Sequence, residues 1–185
     1  TLKMLLTIVF SCVFMSVWAQ SEIHVEKAGT LPSLLPTSEN TLKITGSING
    51  TDVKHLRKLI SEGSVNSLDL SGVRIVKGGS AYDGTNKTED DIIGPTMFKN
   101  FTNLRSVELP ATITAIRSQA FAATGLKKVD IPNTVSTLED HVFADCSFLN
   151  TVVIGRRVSR MHQGVFYNSP VKTAFVKPET PPTTS

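Results

Sequence analysis

The sequence predicts an α/β repeat, a solenoid with a parallel β-sheet on one face and an N-terminal αβ cap. Three observations predict it. Phenylalanines recur at positions 98, 121, 143 and 166, at intervals of 23, 22 and 23 residues. Two apolar registers move with them: Leu104, Leu126, Leu149 and Val171, then Leu109, Ile131, Ile154 and Val176, each stepping by 22, 23 and 22. Each unit also opens on an alternating apolar stretch rich in β-branched residues, such as Leu104-x-x-Val107-x-Leu109, which reads as a short strand. A unit of this length holds one strand and a tight return. It cannot bury its own apolar edge, so units must stack on their neighbours.

The elements follow in chain order. Residues 1–19 carry one Lys, then an apolar run over 4–17, then Val17 and Ala19 at the cleavage position. That is the layout of a secretory signal peptide. The run is short for a membrane span. A membrane anchor and a lipoprotein signal cut before Cys12 are the alternatives, and Phe10 is bulky for the latter. Removing 1–19 leaves 166 residues, with 18 cationic against 16 acidic side chains and a net charge of +2. It also removes the only Trp and leaves Cys146 alone, so no internal disulfide is expected and packing must hold the chain together.

Residues 20–64 are expected to form the cap. Leu42-x-Ile44-Thr-Gly46 and Leu68-x-Leu70-Ser-Gly72 match at an offset of 26. Between them, 51–60 reads as a helix with Val53, Leu56, Leu59 and Ile60 on one face, Thr51 or Asp52 as N-cap and Gly63 past its end. Residues 22–40, including the LPSLLP stretch, are expected to cover the first strand. The solenoid proper is expected over 65–176, with a polar, Gly-rich insertion over 76–91 and a Pro/Thr-rich tail over 177–185. Pro110 and Pro132 end the first two repeat strands, since Pro lacks the ladder donor. An apolar pair follows each strand: Ile113 and Ile116, Val135 and Leu138, Val158 and Met161. Three residues after the repeated Phe stands Thr124, Cys146 or Ser169, with Phe101 as the exception.

Composition excludes some functions. A 40% apolar content and 19% charged residues do not describe a disordered chain. A surplus of a few charges is not the basic face of a nucleic-acid binder. Catalysis lacks its parts: His24, His55, His141 and His162 fall in different units with no nucleophile motif. No zinc spacing or phosphate-binding Gly loop appears. Cys146 occupies a small-residue column and is expected to be a buried structural thiol. No cofactor and no metal site is expected, and the chain is not expected to be an enzyme.

At this level of detail the residues resemble a known family. The unit LRSVELPATITAIRSQAFAA resembles the BspA-like leucine-rich repeats of Bacteroidetes surface proteins. The upstream LKITGSINGTDVKHLRKLI and SLDLSGVRIVKGG resemble the N-terminal block of such proteins. The likeness spans about residues 21–176. It departs from the standard leucine-rich unit, which carries Asn or Cys after the strand; Thr112, Thr134 and Arg157 stand there. Gly155 also stands where a third Pro would end the strand. The resemblance implies a leucine-rich-repeat solenoid exported to the cell surface and an adhesin-like role on host matrix proteins or other bacteria. It assigns no residue to binding.

Candidate binding residues come from strand alternation instead. Positions between the buried columns face outward, and one such column runs Lys43, Asp69, Glu108, Asp130, Val153, Phe175. Strands lie about 4.8 Å apart, so Asp69, Glu108 and Asp130 form a carboxylate ladder, with Lys127, Lys128 and Arg105 expected to relieve it. The binding candidates are Asp69, Glu108, Lys128, Asp130, Val153 and Phe175. They form either a solvated face or a site for a cationic group or calcium. The partner class is a protein or glycan at the cell exterior. Nucleic acid is not expected, and membrane contact is expected only through the signal peptide or an anchor. Val153 and Phe175 turn the column apolar near the last strand, where no capping helix follows, so a contact with another chain or domain at the C-terminal end is the alternative. The loop 83–91 lacks EF-hand order and reads as solvated. Arg156, Arg157, Arg160 and His162 form a basic turn. Asn49, Asn86 and Asn100 head glycosylation sequons.

Overall fold

The computed structural model describes residues 22–34 and 40–177. The expected signal peptide, the end of the LPSLLP stretch and the tail from 178 lie outside the described residues. The chain forms β1 (Glu22–Val25), a 3-10 turn (Leu31–Ser33), β2 (Thr41–Ile48), α1 (Gly50–Ser61) and β3 (Ser67–Ile75). Short strands then alternate: β4 (Ile92–Ile93), β5 (Ser106–Glu108), β6 (Ala115–Ile116), β7 (Lys128–Asp130), β8 (Thr137–Leu138), β9 (Thr151–Ile154), β10 (Arg160–Met161) and β11 (Thr173–Val176). Every pairing among these strands is parallel, so the fold is the expected solenoid.

The expected sheet runs β1-β2-β3-β5 and then β7-β9-β11, with β5 beside β7 but no hydrogen-bonded ladder joining them. Its repeat strands β5, β7, β9 and β11 start two residues later than the alternation suggests. Leu104 and Leu149 are buried in the turn before the strand, where their amides donate to the carbonyls of Phe101 and Cys146. The strands of the block over 20–64 belong to this same sheet and run in the same direction, so that block grades into the coils.

A second parallel sheet, β4-β6-β8-β10, lies on another side of the coil. It was not expected. The "tight return" contains two-residue strands, Ile92–Ile93, Ala115–Ile116, Thr137–Leu138 and Arg160–Met161. Ile93, Ile116 and Leu138 send their side chains to the core with no measurable exposure. Two residues are too few for a period-two signal.

The phenylalanine column makes a third side. Phe98, Phe121, Phe143 and Phe166 stack with centroids 5.4, 5.4 and 5.7 Å apart and ring planes within 15° of parallel. Backbone amides along this corner donate from coil to coil, as from Phe121 to the Val142 carbonyl at 2.9 Å and from Phe143 to Val165 at 2.8 Å. The corner is tight because two residues per coil adopt left-handed backbone. They stand two before and two after each Phe: Gln119 (φ 58°) and Ala123 (φ 55°), His141 (56°) and Asp145 (58°), Gly164 (62°) and Asn168 (53°).

Beside this corner runs a small polar ladder inside the core. The Thr124 hydroxyl donates to the Phe121 carbonyl at 2.9 Å, the Cys146 thiol to the same carbonyl at 3.2 Å, and the Ser169 hydroxyl to the Phe143 carbonyl at 2.7 Å. Ser169 accepts in turn from the Cys146 amide at 2.9 Å. Burial pushes the Cys146 thiol up, against its hydrogen-bonding contact with the Thr124 hydroxyl, which lowers it. It is a buried structural thiol. This column satisfies turn carbonyls that would otherwise be orphaned in the core.

The helix forms where expected but is capped otherwise. Asn49 is the N-cap: its side-chain oxygen accepts from the Thr51 amide at 2.9 Å, and Asp52 accepts from the Asn49 amide at 2.9 Å, a capping box. Thr51 and Asp52, the expected caps, stand two and three residues past Asn49, within the first turn. Gly63 (φ 77°) ends the helix in the left-handed backbone that favours glycine.

The insertion over 76–91 is not wholly solvated. Tyr82 is buried and donates its hydroxyl to the Pro95 carbonyl at 2.8 Å, and Thr88 is buried on the Gly78 carbonyl at 3.0 Å. Asp83 organises the loop, accepting from the Thr96 hydroxyl at 2.6 Å, the Asn86 side chain at 2.8 Å and the amides of Asn86 and Thr85. Partial burial pushes its carboxyl up, but these hydrogen bonds outweigh burial and bring it down to about 2. A carboxyl depressed in the folded state contributes stability above its unfolded value, which is lost as pH falls through the folded value. Asp83→Asn is therefore expected to cost on the order of 1–2 kcal/mol at neutral pH, allowing for solvent screening. The gap to the parent should close between about pH 4 and pH 2 in urea titrations; a gap unchanged across that window contradicts the assignment.

Gly155 has a separate reason to stand where Pro110 and Pro132 end earlier strands. A Cβ there would lie 2.1 Å from the Pro132 carbonyl oxygen and 2.9 Å from that of Ile131. The third coil presses backbone to backbone on the second. Gly155→Ala is expected to destabilise the fold by about 2–3 kcal/mol. An unchanged urea midpoint would show that the coils do not pack this closely.

Candidate functional site

The outward face of the first sheet is built by pairing register. Glu22, Lys43, Asp69 and Glu108 stand side by side across β1, β2, β3 and β5. Asp130, Val153 and Phe175 stand side by side across β7, β9 and β11. The expected column is therefore present in two blocks, divided where the ladder lapses between β5 and β7. A second outward column, two residues earlier, is mostly hydroxyls: Thr41, Ser67 and Ser106, then Lys128, Thr151 and Thr173. Of these, sequence reasoning singled out Lys128 alone. The rest were legible as a column of Ser and Thr at the strand starts.

The charges on this face are balanced differently from expectation. Lys43 pairs with Glu22 at 2.9 Å, and that hydrogen bond, with the nearby carboxylates, raises its ammonium above the ordinary value. Asp69 is occupied locally, accepting from the Ser71 amide at 2.9 Å and the Ser71 hydroxyl at 2.6 Å. Asp130 forms an ion pair with Lys177, whose ammonium also reaches the Ile131 carbonyl at 3.2 Å. The guanidinium of Arg105, expected beside the carboxylates, lies 4.9 Å over the Phe148 ring instead. Lys127 and Lys128 make no ion pair among the described residues.

Glu108, Asp130 and Lys177 meet at the strand ends around an open concavity of about 340 Å³, with Pro132, Asn133 and Thr134 on its floor and rim. By spacing Lys177 falls at the start of the tail, and nothing in the spacing signals its return to Asp130. Beyond this concavity the face turns apolar. Val153 is half-buried, Phe175 is 57% exposed and Val176 is 69% exposed. The inward column shows why: Leu109 and Ile131 are buried under the following coil, Ile154 is half-buried, and Val176 has no described coil over it.

The arrangement offers hydrogen-bonding and ionic groups beside an apolar strip, without groups poised for chemistry. Among the described residues no three His, Cys, Asp or Glu side chains gather to hold a metal. The histidines lie apart: His24 bonds Thr45, His141 meets the edge of Tyr167 and His162 stands 3.9 Å from Asp140. Arg160 lies on β10, the outer strand of the second sheet, and Arg157 in the turn before it, both exposed.

A model of the BspA-type leucine-rich repeat region matches residues 86–180 in six copies, just over half of the chain. No curated protein matches. Among solved structures, a leucine-rich cell surface protein from Faecalibacterium prausnitzii A2-165 matches at 14% identity and a TM-score of 0.29. The match covers 84% of this chain and 64% of that one, so the chain spans less than two thirds of that protein's length.

Proposed function

The chain belongs to the BspA-type leucine-rich repeat family, and from that premise we propose that it is an exported, non-catalytic module that binds a protein or glycan at the cell exterior through the outward face of its first sheet. The observation that carries the reading is the graded face. Carboxylates and a lysine converge on one concavity at Glu108, Asp130 and Lys177, and the apolar residues Val153 and Phe175 continue the column beside it. Interfaces combine an apolar centre with a polar rim in this way. Export rests on residues 1–19, which have the layout of a signal peptide. An adhesin-like role follows from the family resemblance.

The test is an array of extracellular matrix proteins and bacterial surface glycans probed with the labelled protein. Saturable binding to at least one member is expected, and saturable binding to none sinks the proposal. A second reading, assembly with another chain or domain, is favoured by the exposure of Phe175 and Val176 at the last strand. Light scattering separates the two. A concentration-dependent mass that Phe175→Ser abolishes supports assembly, and a constant monomer mass supports the first reading.

A further inference from the structure

Away from the strand face, the outer side of α1 forms one wall of a groove of about 660 Å³. Its charged lining is cationic throughout: Lys54, Arg57 and Lys58, joined by His55. Residues three and four apart on a helix are neighbours, about 5–6 Å between Cβ atoms, so Lys54, Arg57 and Lys58 form one cluster. Among the described residues no carboxylate lines the groove. Among the described residues Lys58 meets one carboxylate, an exposed contact to Glu62 at 3.8 Å, which is worth little.

Arg57 is the fixed member. Its Nη1 donates to the carbonyls of Thr96 at 3.0 Å and Met97 at 2.5 Å, and its guanidinium lies 5.0 Å over the Phe101 ring. These carbonyl bonds position the cation without neutralising it. Burial lowers its pKa, while Asp83 acts in the opposite direction; a guanidinium stays charged at neutral pH regardless. The wall beside it is apolar on Phe101 and Pro32, and hydroxyls of Thr51 and Ser80 stand at the margin.

We propose that this groove binds an anionic polysaccharide, with sulfate or carboxylate groups on Lys54, Arg57 and Lys58 and a sugar ring against Phe101 and Pro32. The features favour a saccharide over the other polyanions. The site is concave, whereas a bilayer surface requires a protruding or flat basic face. Its cations cluster within one turn of helix and do not form the extended stripe that tracks a nucleic-acid backbone. Sulfated and uronate sugars share the chemistry of the site, a pyranose ring bearing an anion. The groove and the strand face are separate surfaces: the described charged residues lining the groove are cationic, whereas the strand face mixes carboxylates, lysines and an apolar strip.

Isothermal titration of the protein with a heparin octasaccharide and with an octagalacturonate tests the proposal at low ionic strength, where exposed charges are least screened. Saturable binding to at least one is expected, and which one identifies the anion. Lys54→Ala/Lys58→Ala is expected to weaken it at least tenfold, with the thermal midpoint unchanged because both side chains are exposed. Arg157→Ala/Arg160→Ala removes equal charge elsewhere and is expected to leave it within twofold. Asp130→Ala, which alters the strand face alone, is also expected to leave saccharide binding intact, so failure here is distinct from failure of the proposed function. No binding to either oligosaccharide overturns the proposal. So does an equal loss in both double variants, or binding confined to single-stranded DNA or to phosphatidylserine vesicles.

Discussion

Phe121→Ala is expected to lower the unfolding free energy by about 3–5 kcal/mol, the cost of emptying a fully buried aromatic site whose walls cannot collapse. Phe121 has no measurable exposure and lies between two rings, each 5.4 Å away. The walls are rigid because the left-handed residues Gln119 and Ala123 fix the corner on both sides, and coil-to-coil hydrogen bonds hold it above and below. In a stacked repeat each unit is stabilised by its neighbours, so the loss removes two interfaces at once. Phe166→Ala should cost less, because Phe166 is half-buried and among the described residues stacks on one ring, that of Phe143. Urea unfolding of both variants measures the difference. Equal, small losses would show that the stack is not the spine of the fold.

Asp52→Ala is expected to cost about 3 kcal/mol or more, and to act on the N-terminal segment first. The Asp52 carboxylate is fully buried and accepts from three backbone amides: Gly29 at 2.5 Å, Leu31 at 2.9 Å and Asn49 at 2.9 Å. Truncation leaves all three donors without a partner, and each unsatisfied buried group costs about 1–3 kcal/mol. The same residue closes the capping box of α1 and ties the turn after β1 to the helix. Hydrogen exchange should rise in the Gly29 and Leu31 amides before it rises in β7 or β9. Uniform acceleration throughout the chain would contradict this local role. Ser61→Ala, which removes an exposed hydroxyl bonded to the Lys58 carbonyl of its own helix, is the control expected to change little.

How far the sequence discloses the molecule depends on how each feature is encoded. The Phe column and the outward acidic column are repeated side chains at fixed spacing, and both appear in space. The registers pairing Lys43 with Asp69, Asp69 with Glu108, and Asp130 with Val153 and Phe175 follow from alternation alone. The second sheet did not announce itself, because two-residue strands carry no period. The left-handed turns were hidden because Gln119, Ala123, His141 and Asp145 occupy them in place of glycine. The site was legible only as a column. Its concavity depends on Lys177 folding back to Asp130, and the α1 groove depends on Phe101 and Pro32 meeting a helix distant from both in sequence. Such meetings are products of the coil path and leave no local pattern.

The central claim is that the outward sheet face binds a macromolecule. Its most direct test is a binding isotherm for whichever matrix protein or glycan the array identifies, recorded for the parent and for Glu108→Ala/Phe175→Ser. These two side chains lie on opposite sides of the division between β5 and β7, and both are exposed, so the fold should survive the change. The account predicts binding at least tenfold weaker than the parent's. An unchanged isotherm would contradict it.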